Sequence, residues 1–210
     1  MKWKVCGNRD NLEEVAGLEP DYMGFIYWEL SSRALPAKGV DLSAVPQQIK
    51  RVGVFVDENA ETIAEMSRRD QLDFVQLHGN EQPSDVQKIK TLVDLPLIKA
   101  FAPSQHFDFG TLDQYTEWVD YFLFDTKGPL PGGNGYEFDW SLLDQYTGST
   151  PYWLSGGIGL ESIEKLEEFL RQPGAKHCIA IDINSKFEDA PGLKNISALK
   201  KFRHAIKGEL

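Results

Sequence analysis

Tyr121-Phe122-Leu123-Phe124-Asp125-Thr126-Lys127-Gly128-Pro129-Leu130-Pro131-Gly132-Gly133-Asn134-Gly135-Tyr136-Glu137-Phe138-Asp139-Trp140 decides how this chain is read. The run Tyr121–Phe124 is apolar and short, as expected of a buried strand. It ends in a single carboxylate, Asp125. A glycine-rich loop follows, and Asp139 then supplies a helix-start signal. In α/β proteins, an acid at the C-terminal end of a strand stands where chemistry is placed. The stretch therefore puts a candidate catalytic carboxylate beneath a candidate lid, Gly132–Gly135. The plainer reading is that Asp125 only caps backbone amides, as many strand-end aspartates do.

Similar apolar runs recur along the chain. Strands are expected at Trp3–Cys6, Tyr22–Ile26, Val52–Val56, Phe74–Leu77, Leu97–Ala100, Tyr121–Phe124, Tyr152–Leu154 and Cys178–Ile181. Helical patterns separate them at Asn59–Arg69, Gln82–Ile89, Asp139–Tyr146, Glu161–Leu170 and Asn195–Ile206. In Glu161–Leu170, for example, Ile163, Leu166, Phe169 and Leu170 fall on one face. The first two crossovers and the one near Phe107–Tyr115 carry weaker patterns. Strands alternating with helices imply a parallel sheet. An open sheet binding a dinucleotide would show Gly-x-Gly-x-x-Gly after its first strand. Here that position reads Cys6-Gly7-Asn8-Arg9. Eight strand-helix units favour a closed (β/α)8 TIM barrel, compact at 210 residues beside the typical ~250. No linker or break in composition appears, so residues 1–210 read as one compact domain.

The formal net charge of −10 argues against nucleic acid or an anionic membrane as partner, since both need a basic face. An anionic substrate would need a locally positive site, made from helix N-termini or a few bases. The two cysteines, Cys6 and Cys178, make no disulfide framework. With an N-terminus that lacks a signal-peptide core, they point to a reducing, cytoplasmic location. No apolar run approaches the ~18 residues of a membrane span.

In a barrel, the C-terminal ends of all the strands meet at one mouth. Reading along those ends gives Cys6 with Gly7, Ser31-Ser32-Arg33, Asp57, Gln76 with His78 and Gly79, and Lys99 with Phe101. The remaining ends give Asp125, Ser155-Gly156-Gly157, and Asp182 with Asn184 and Ser185. Polar residues concentrate at the ends and are sparse within the strands. Gly156 and Gly157 stand between a strand and a helix, where backbone amides and the helix dipole suit a phosphate. Loops after the seventh and eighth barrel strands commonly serve that purpose. A lone cysteine is more often an inert core thiol, and Cys178 fits that description. Cys6 differs in ending a strand at the mouth. Four histidines without paired spacing point away from a metal site, and His78 reads as a packed, hydrogen-bonded residue. Arg33 has the planar fork that suits a carboxylate.

The segments Lys4-Val5-Cys6-Gly7, Asp21–Ile26, Arg51–Val56, Val75–Gly79, Asp125–Lys127, Gly132–Gly135, Phe138–Trp140, Leu154–Gly157, Asp182–Ser185 and Pro191–Lys194 together resemble phosphoribosylanthranilate isomerase of tryptophan biosynthesis. The resemblance runs nearly the whole chain. It implies an Amadori rearrangement of N-(5-phosphoribosyl)anthranilate to an aminodeoxyribulose phosphate, with no cofactor. It implies that Asp125 is the general acid that opens the furanose ring and Cys6 the general base at the sugar C2. Arg33 would bind the anthranilate carboxylate. Gly156, Gly157, Asp182, Asn184 and Ser185 would serve substrate binding, with the two glycines and Asn184-Ser185 at the phosphate. The expected assembly is a monomer or homodimer. Departures from the family pattern are Ser32 before the arginine, Lys186 after Ser185, and Ile158-Gly159-Leu160 after the glycines. Alternatives are another phosphosugar isomerase or epimerase barrel, or a non-catalytic barrel that binds a phosphate ligand. An epimerase would want metal-ligand histidines at strand ends. A histidine-pathway isomerase would want aspartate in place of Cys6.

Overall fold

In the computed structural model, residues 1–36, 39–125 and 139–209 are described. Eight parallel strands close into a barrel in sequence order: β1 (Lys2–Val5), β2 (Tyr22–Ile26), β3 (Lys50–Phe55), β4 (Phe74–Leu77), β5 (Leu97–Phe101), β6 (Tyr121–Phe124), β7 (Tyr152–Leu154) and β8 (Cys178–Ile183). Every expected strand is present, with each end within two residues of the expected one. β1 and β8 form the closing seam, in which Lys4 lies opposite Asp182. β8 runs on to Ile183, so Asp182 lies within the strand and not after it.

The three crossovers with weak patterns are light, and the one after β6 is lighter than the helix expected over Asp139–Tyr146. α1 (Leu12–Ala16) has a single turn, whereas α2 (Ala60–Arg69), α3 (Pro83–Leu92), α4 (Ile163–Leu170) and α5 (Ile196–Glu209) match the expected helices. The crossovers after β2, β5 and β6 contain 3-10 turns, at Leu42–Ala44, Phe109–Gln114 and Trp140–Gln145. Each opens with an aspartate, Asp41, Asp108 or Asp139, whose carboxylate accepts the N–H two residues on. Asp139 thus caps as expected, but the tight local bond starts a 3-10 turn, which suits a short connection. After β8 the chain adds a small antiparallel hairpin, β9 (Glu188–Ala190) and β10 (Leu193–Lys194), which the sequence reading did not foresee.

Strand side chains alternate between two faces. One set packs between barrel and helices: Val5, Phe25, Phe55, Val75, Leu77, Phe122, Phe124 and Ile181, for example, belong to the large outer core. The other set fills the lumen. Tyr22, Val52, Ile98, Leu123, Trp153 and Ala180 form a separate inner cluster, with Phe74 and Tyr121 packed on it. Its aromatic centre is tight, with Tyr22 and Trp153 ring centroids 4.4 Å apart and Phe74 edge-on to Tyr22 at 5.5 Å. These rings plug the N-terminal half of the lumen. Trp153 is the largest side chain in that plug and is fully buried. Trp153→Ala should lower unfolding free energy by about 3–5 kcal/mol, read as a drop in urea midpoint at unchanged slope. Leu30→Ala, at an 81% exposed position, should change it by less than ~0.5 kcal/mol.

Candidate active site

The same alternation that builds the plug sends polar side chains into the upper lumen. Lys4 of β1 is followed two residues on by Cys6, Gln76 of β4 by His78, and Asp182 of β8 by Asn184, each second residue standing just past the end of its strand. Asp125 shares the inward parity of Tyr121 and Leu123.

Lys4 is fully buried at the centre of this group. Its ammonium donates to Asp182 Oδ2 at 2.9 Å and to Gln76 Oε1 at 2.5 Å. It also lies 5.9 Å from the Trp153 ring centroid, on top of the aromatic plug. Burial disfavours the Lys4 charge, but Asp182 and Cys6 outweigh that and raise its pKa. Burial raises the Asp182 carboxyl, with Lys4 opposing. Gln76 Nε2 meets His78 Nδ1 at 2.8 Å, and His78 Nε2 meets Asp125 Oδ2 at 3.1 Å. A continuous polar chain therefore runs from Lys4, beside Cys6, through Gln76 and His78 to Asp125. Sequence reading found Cys6, Gln76, His78, Asp125 and Asp182 but not Lys4. Lys4 lies inside a strand, where polar residues were expected to be sparse. Its spacing of two from Cys6 was the available signal.

Cys6 is buried at the top of β1, and its N–H donates to Ile183 O at 2.8 Å, which holds it to the barrel wall. Burial pushes its thiol pKa up; Lys4 and Lys194 pull it down, and Asp182 pushes it up. Room for the thiol depends on Gly24 of β2. A Cβ there would lie 2.7 Å from Lys4 Cε and 2.8 Å from Cys6 Sγ, closer than real Cβ contacts.

A second cluster occupies the side of the mouth near the β9–β10 hairpin. Arg33 donates through Nε at 2.8 Å and Nη2 at 2.7 Å to one oxygen of Glu188. The other Glu188 oxygen accepts from the buried Lys194 at 2.8 Å, and Lys194 also donates to Asn184 Oδ1 at 2.9 Å. Burial lowers the Lys194 pKa. Burial works upward on Glu188, but Arg33 and Lys194 outweigh it and hold the carboxyl below its ordinary range. A guanidinium has five N–H donors, so Arg33 can hold Glu188 along one edge and face a ligand along another. Glu188 and Lys194 were not singled out as site residues, because the hairpin that carries them was not foreseen, although Lys194 closes the quoted segment Pro191–Lys194.

The turn after β7 has Gly156 and Gly157 at φ of +91° and +69°, a backbone that glycine adopts without strain. The Gly159 N–H is taken by Ser162 Oγ at 3.2 Å, so the amides of Gly156 and Gly157 are the candidates for an anion. Asn184 and Ser185 lie at the adjoining turn after β8, where a 3-10 turn spans Ser185–Phe187. Lys186 reaches Glu161 at 2.8 Å and so joins the β7 turn to the β8 turn.

Two strand-end residues serve other purposes. Lys99 shares the face of Leu97 and Phe101, outside the lumen; it pairs with buried Glu81 at 3.0 Å and donates to Gly79 O at 2.9 Å. Asp57 accepts the Asn80 N–H at 2.6 Å. Both brace the loop that follows His78. The Gly132–Gly135 loop lies outside the described residues. Among the described residues, no cluster of His, Cys, Asp and Glu is placed to hold a metal ion, and no helix is long and apolar enough to cross a membrane.

Residues 3–205 match the family model described as N-(5'phosphoribosyl)anthranilate (PRA) isomerase. The chain is 43% identical over 208 residues to N-(5'-phosphoribosyl)anthranilate isomerase of Parabacteroides distasonis, covering 97% of this chain and 92% of that one. It is similar to the solved phosphoribosyl anthranilate isomerase of Thermotoga maritima, with TM-score 0.81, 30% identity and 99% of each chain covered. A phosphoribosyl anthranilate isomerase solved with reduced 1-(o-carboxyphenylamino)-1-deoxyribulose 5-phosphate matches with TM-score 0.78 and 29% identity, again over 99% of each chain.

Glu188 sits between two cations, so Glu188→Gln should destabilise the protein at pH 7 by about 3 kcal/mol, the scale of an unpaired buried charge. The sign with pH follows from the lowered carboxyl. Its contribution is complete above the ordinary glutamate value near 4.3 and is lost as pH falls through the lower folded-state value. Urea unfolding of both proteins should therefore show a gap at pH 7 that narrows below about pH 4. A gap independent of pH would contradict the pairing.

Proposed function

The chain belongs to the phosphoribosylanthranilate isomerase family and is an isomerase of tryptophan biosynthesis; we propose that it works with Asp125 as general acid and Cys6 as general base. The observation that carries the residue assignment is their common place in the barrel mouth, joined by the Lys4–Gln76–His78 chain. In this reading the substrate is N-(5-phospho-β-D-ribosyl)anthranilate and the product 1-(2-carboxyphenylamino)-1-deoxy-D-ribulose 5-phosphate.

Asp125 gives its proton to the furanose ring oxygen. The C1–O bond breaks and the nitrogen lone pair forms the C1=N bond of a cationic Schiff base. The Cys6 thiolate takes the C2 proton, the C2–H electrons become a C1=C2 bond, and the nitrogen is neutral again. The enolamine then moves its hydroxyl proton to C1 and becomes the ketone. The substrate ends with the protons it began with. The enzyme ends with its proton on Cys6 instead of Asp125, so each turnover closes with return of that proton. Burial favours the neutral thiol, and Lys4 and Lys194 offset part of that preference. The two lysines thereby keep the thiolate within reach.

Binding follows from charge. The substrate carries a carboxylate and a phosphate, and the chain carries −10 overall. Arg33 would face the anthranilate carboxylate, while the Gly156 and Gly157 amides and the Asn184-Ser185 turn would take the phosphate. Asp182 serves through Lys4, whose ammonium it holds. Both cysteines are free and buried, which supports a reducing, cytoplasmic setting as part of the proposal.

Loss of the fluorescent anthranilate substrate follows turnover directly. Cys6→Ala and Asp125→Asn should each lower kcat by about 10²–10⁴-fold with the fold intact. Unchanged turnover in either variant would sink its assignment. Arg33→Met should act mainly on KM, as loss of a ground-state binding group does.

A further inference from the structure

Gln76 is buried in the lumen in the middle of β4, and the reaction just described gives it no part. Its surroundings nonetheless fix the protons of the groups beyond it. A lysine ammonium only donates, so the Lys4 contact requires the oxygen of the Gln76 amide to face Lys4. The amide nitrogen then faces His78 Nδ1 at 2.8 Å as a donor. Nδ1 must accept, and a neutral imidazole with Nδ1 accepting carries its proton on Nε2. Nε2 is the atom 3.1 Å from Asp125 Oδ2. An imidazolium would set an N–H against the amide NH2, so this arrangement excludes it.

We propose that Gln76, acting through His78, is a positioning residue: it holds the imidazole neutral with its proton on Nε2, so that the hydrogen bond from His78 that aims Asp125 comes from a neutral donor. This deepens the reading of Asp125 as the general acid and rests on it. A cation at this distance lowers a carboxyl pKa by about 1–3 units and would leave Asp125 a carboxylate when it must hold a proton. A neutral donor orients the group at far smaller cost to that proton. When Asp125 is protonated it accepts from His78 through Oδ2, which places its proton on Oδ1. Among the described residues, the other charged groups around the pair include Asp182 of β8 and Lys4 of β1 on the lumen side. The Lys99–Glu81 pair braces the adjoining Gly79 loop from β5. Cys6 lies beyond Lys4.

The test reads the proton before it reads the rate. In 15N-histidine protein at neutral pH, with His78 assigned by its absence from His78→Asn, Nε2 should show as protonated and Nδ1 as bare. Protonated Nδ1 in the unmodified protein would overturn the proposal, whatever any variant does. Gln76→Glu places a carboxylate where the amide nitrogen stood, which favours protons on both imidazole nitrogens. The new carboxylate meets Nδ1, farther from Asp125 than the Nε2 side of the cation it creates. Activity falls at high pH as the acid loses its proton, so a lowered Asp125 pKa moves that limb of the kcat profile downward. The expected shift is about 1–3 pH units, with KM little changed. An unmoved limb in a variant whose His78 is doubly protonated would also overturn the proposal. Turnover retained in Asp125→Asn would instead overturn the acid assignment, a failure that leaves the nitrogen shifts as they are.

Discussion

A lysine ammonium shut away from water in the middle of the barrel is the constraint around which the site is arranged. Removing such an ion from water costs several kcal/mol unless charge and hydrogen bonds replace the lost hydration. Lys4 obtains both from the lumen wall. Asp182 stands opposite it across the β1–β8 seam, so the strand pairing that closes the barrel also supplies the counter-ion. Gln76 gives a second acceptor and Trp153 a ring face beneath. These demands set the orientation of one amide, and through it the proton of His78. The pairing of Lys4 with Asp182 thus ties the closure of the barrel to the polar chain at its mouth.

The barrel was largely legible because its strands are short apolar runs ended by polar residues, and that pattern survives without tertiary information. The crossovers were less so. Asp139 announces a helical start, but its side-chain bond to the N–H two residues on opens a 3-10 turn, as the bonds of Asp41 and Asp108 do in the two weaker crossovers. Among site residues, those at strand ends were found, and those whose role depends on parity or on a distant partner were not. Lys4 lies between Trp3 and Val5, and only the alternation of faces shows that it looks inward. Glu188 and Lys194 acquire meaning through Arg33, more than 150 positions away in sequence. Lys99 misled in the opposite way, being a polar residue near a strand end that faces outside the lumen.

Charge recognition here acts at short range. A chain of −10 repels an anion at a distance, and screening confines surface fields to about 8 Å at physiological salt. Buried charges are screened much less. In the outer cluster two cations flank one carboxylate, leaving a local excess of positive charge next to Asn184, at the turn after β8. In the proposed reading, attraction of the anionic substrate then comes from these buried groups and not from the net charge of the chain.

Gly24 makes its contribution by leaving space. No side chain there touches anything, yet the thiol and the lysine stem stand where its first carbon would be. A side chain could be acquired at position 24 only together with compensating change at Cys6 and Lys4. Evolution by single steps meets a closed door at this site: the residue with the least chemistry in the lumen is among those with the least freedom to drift.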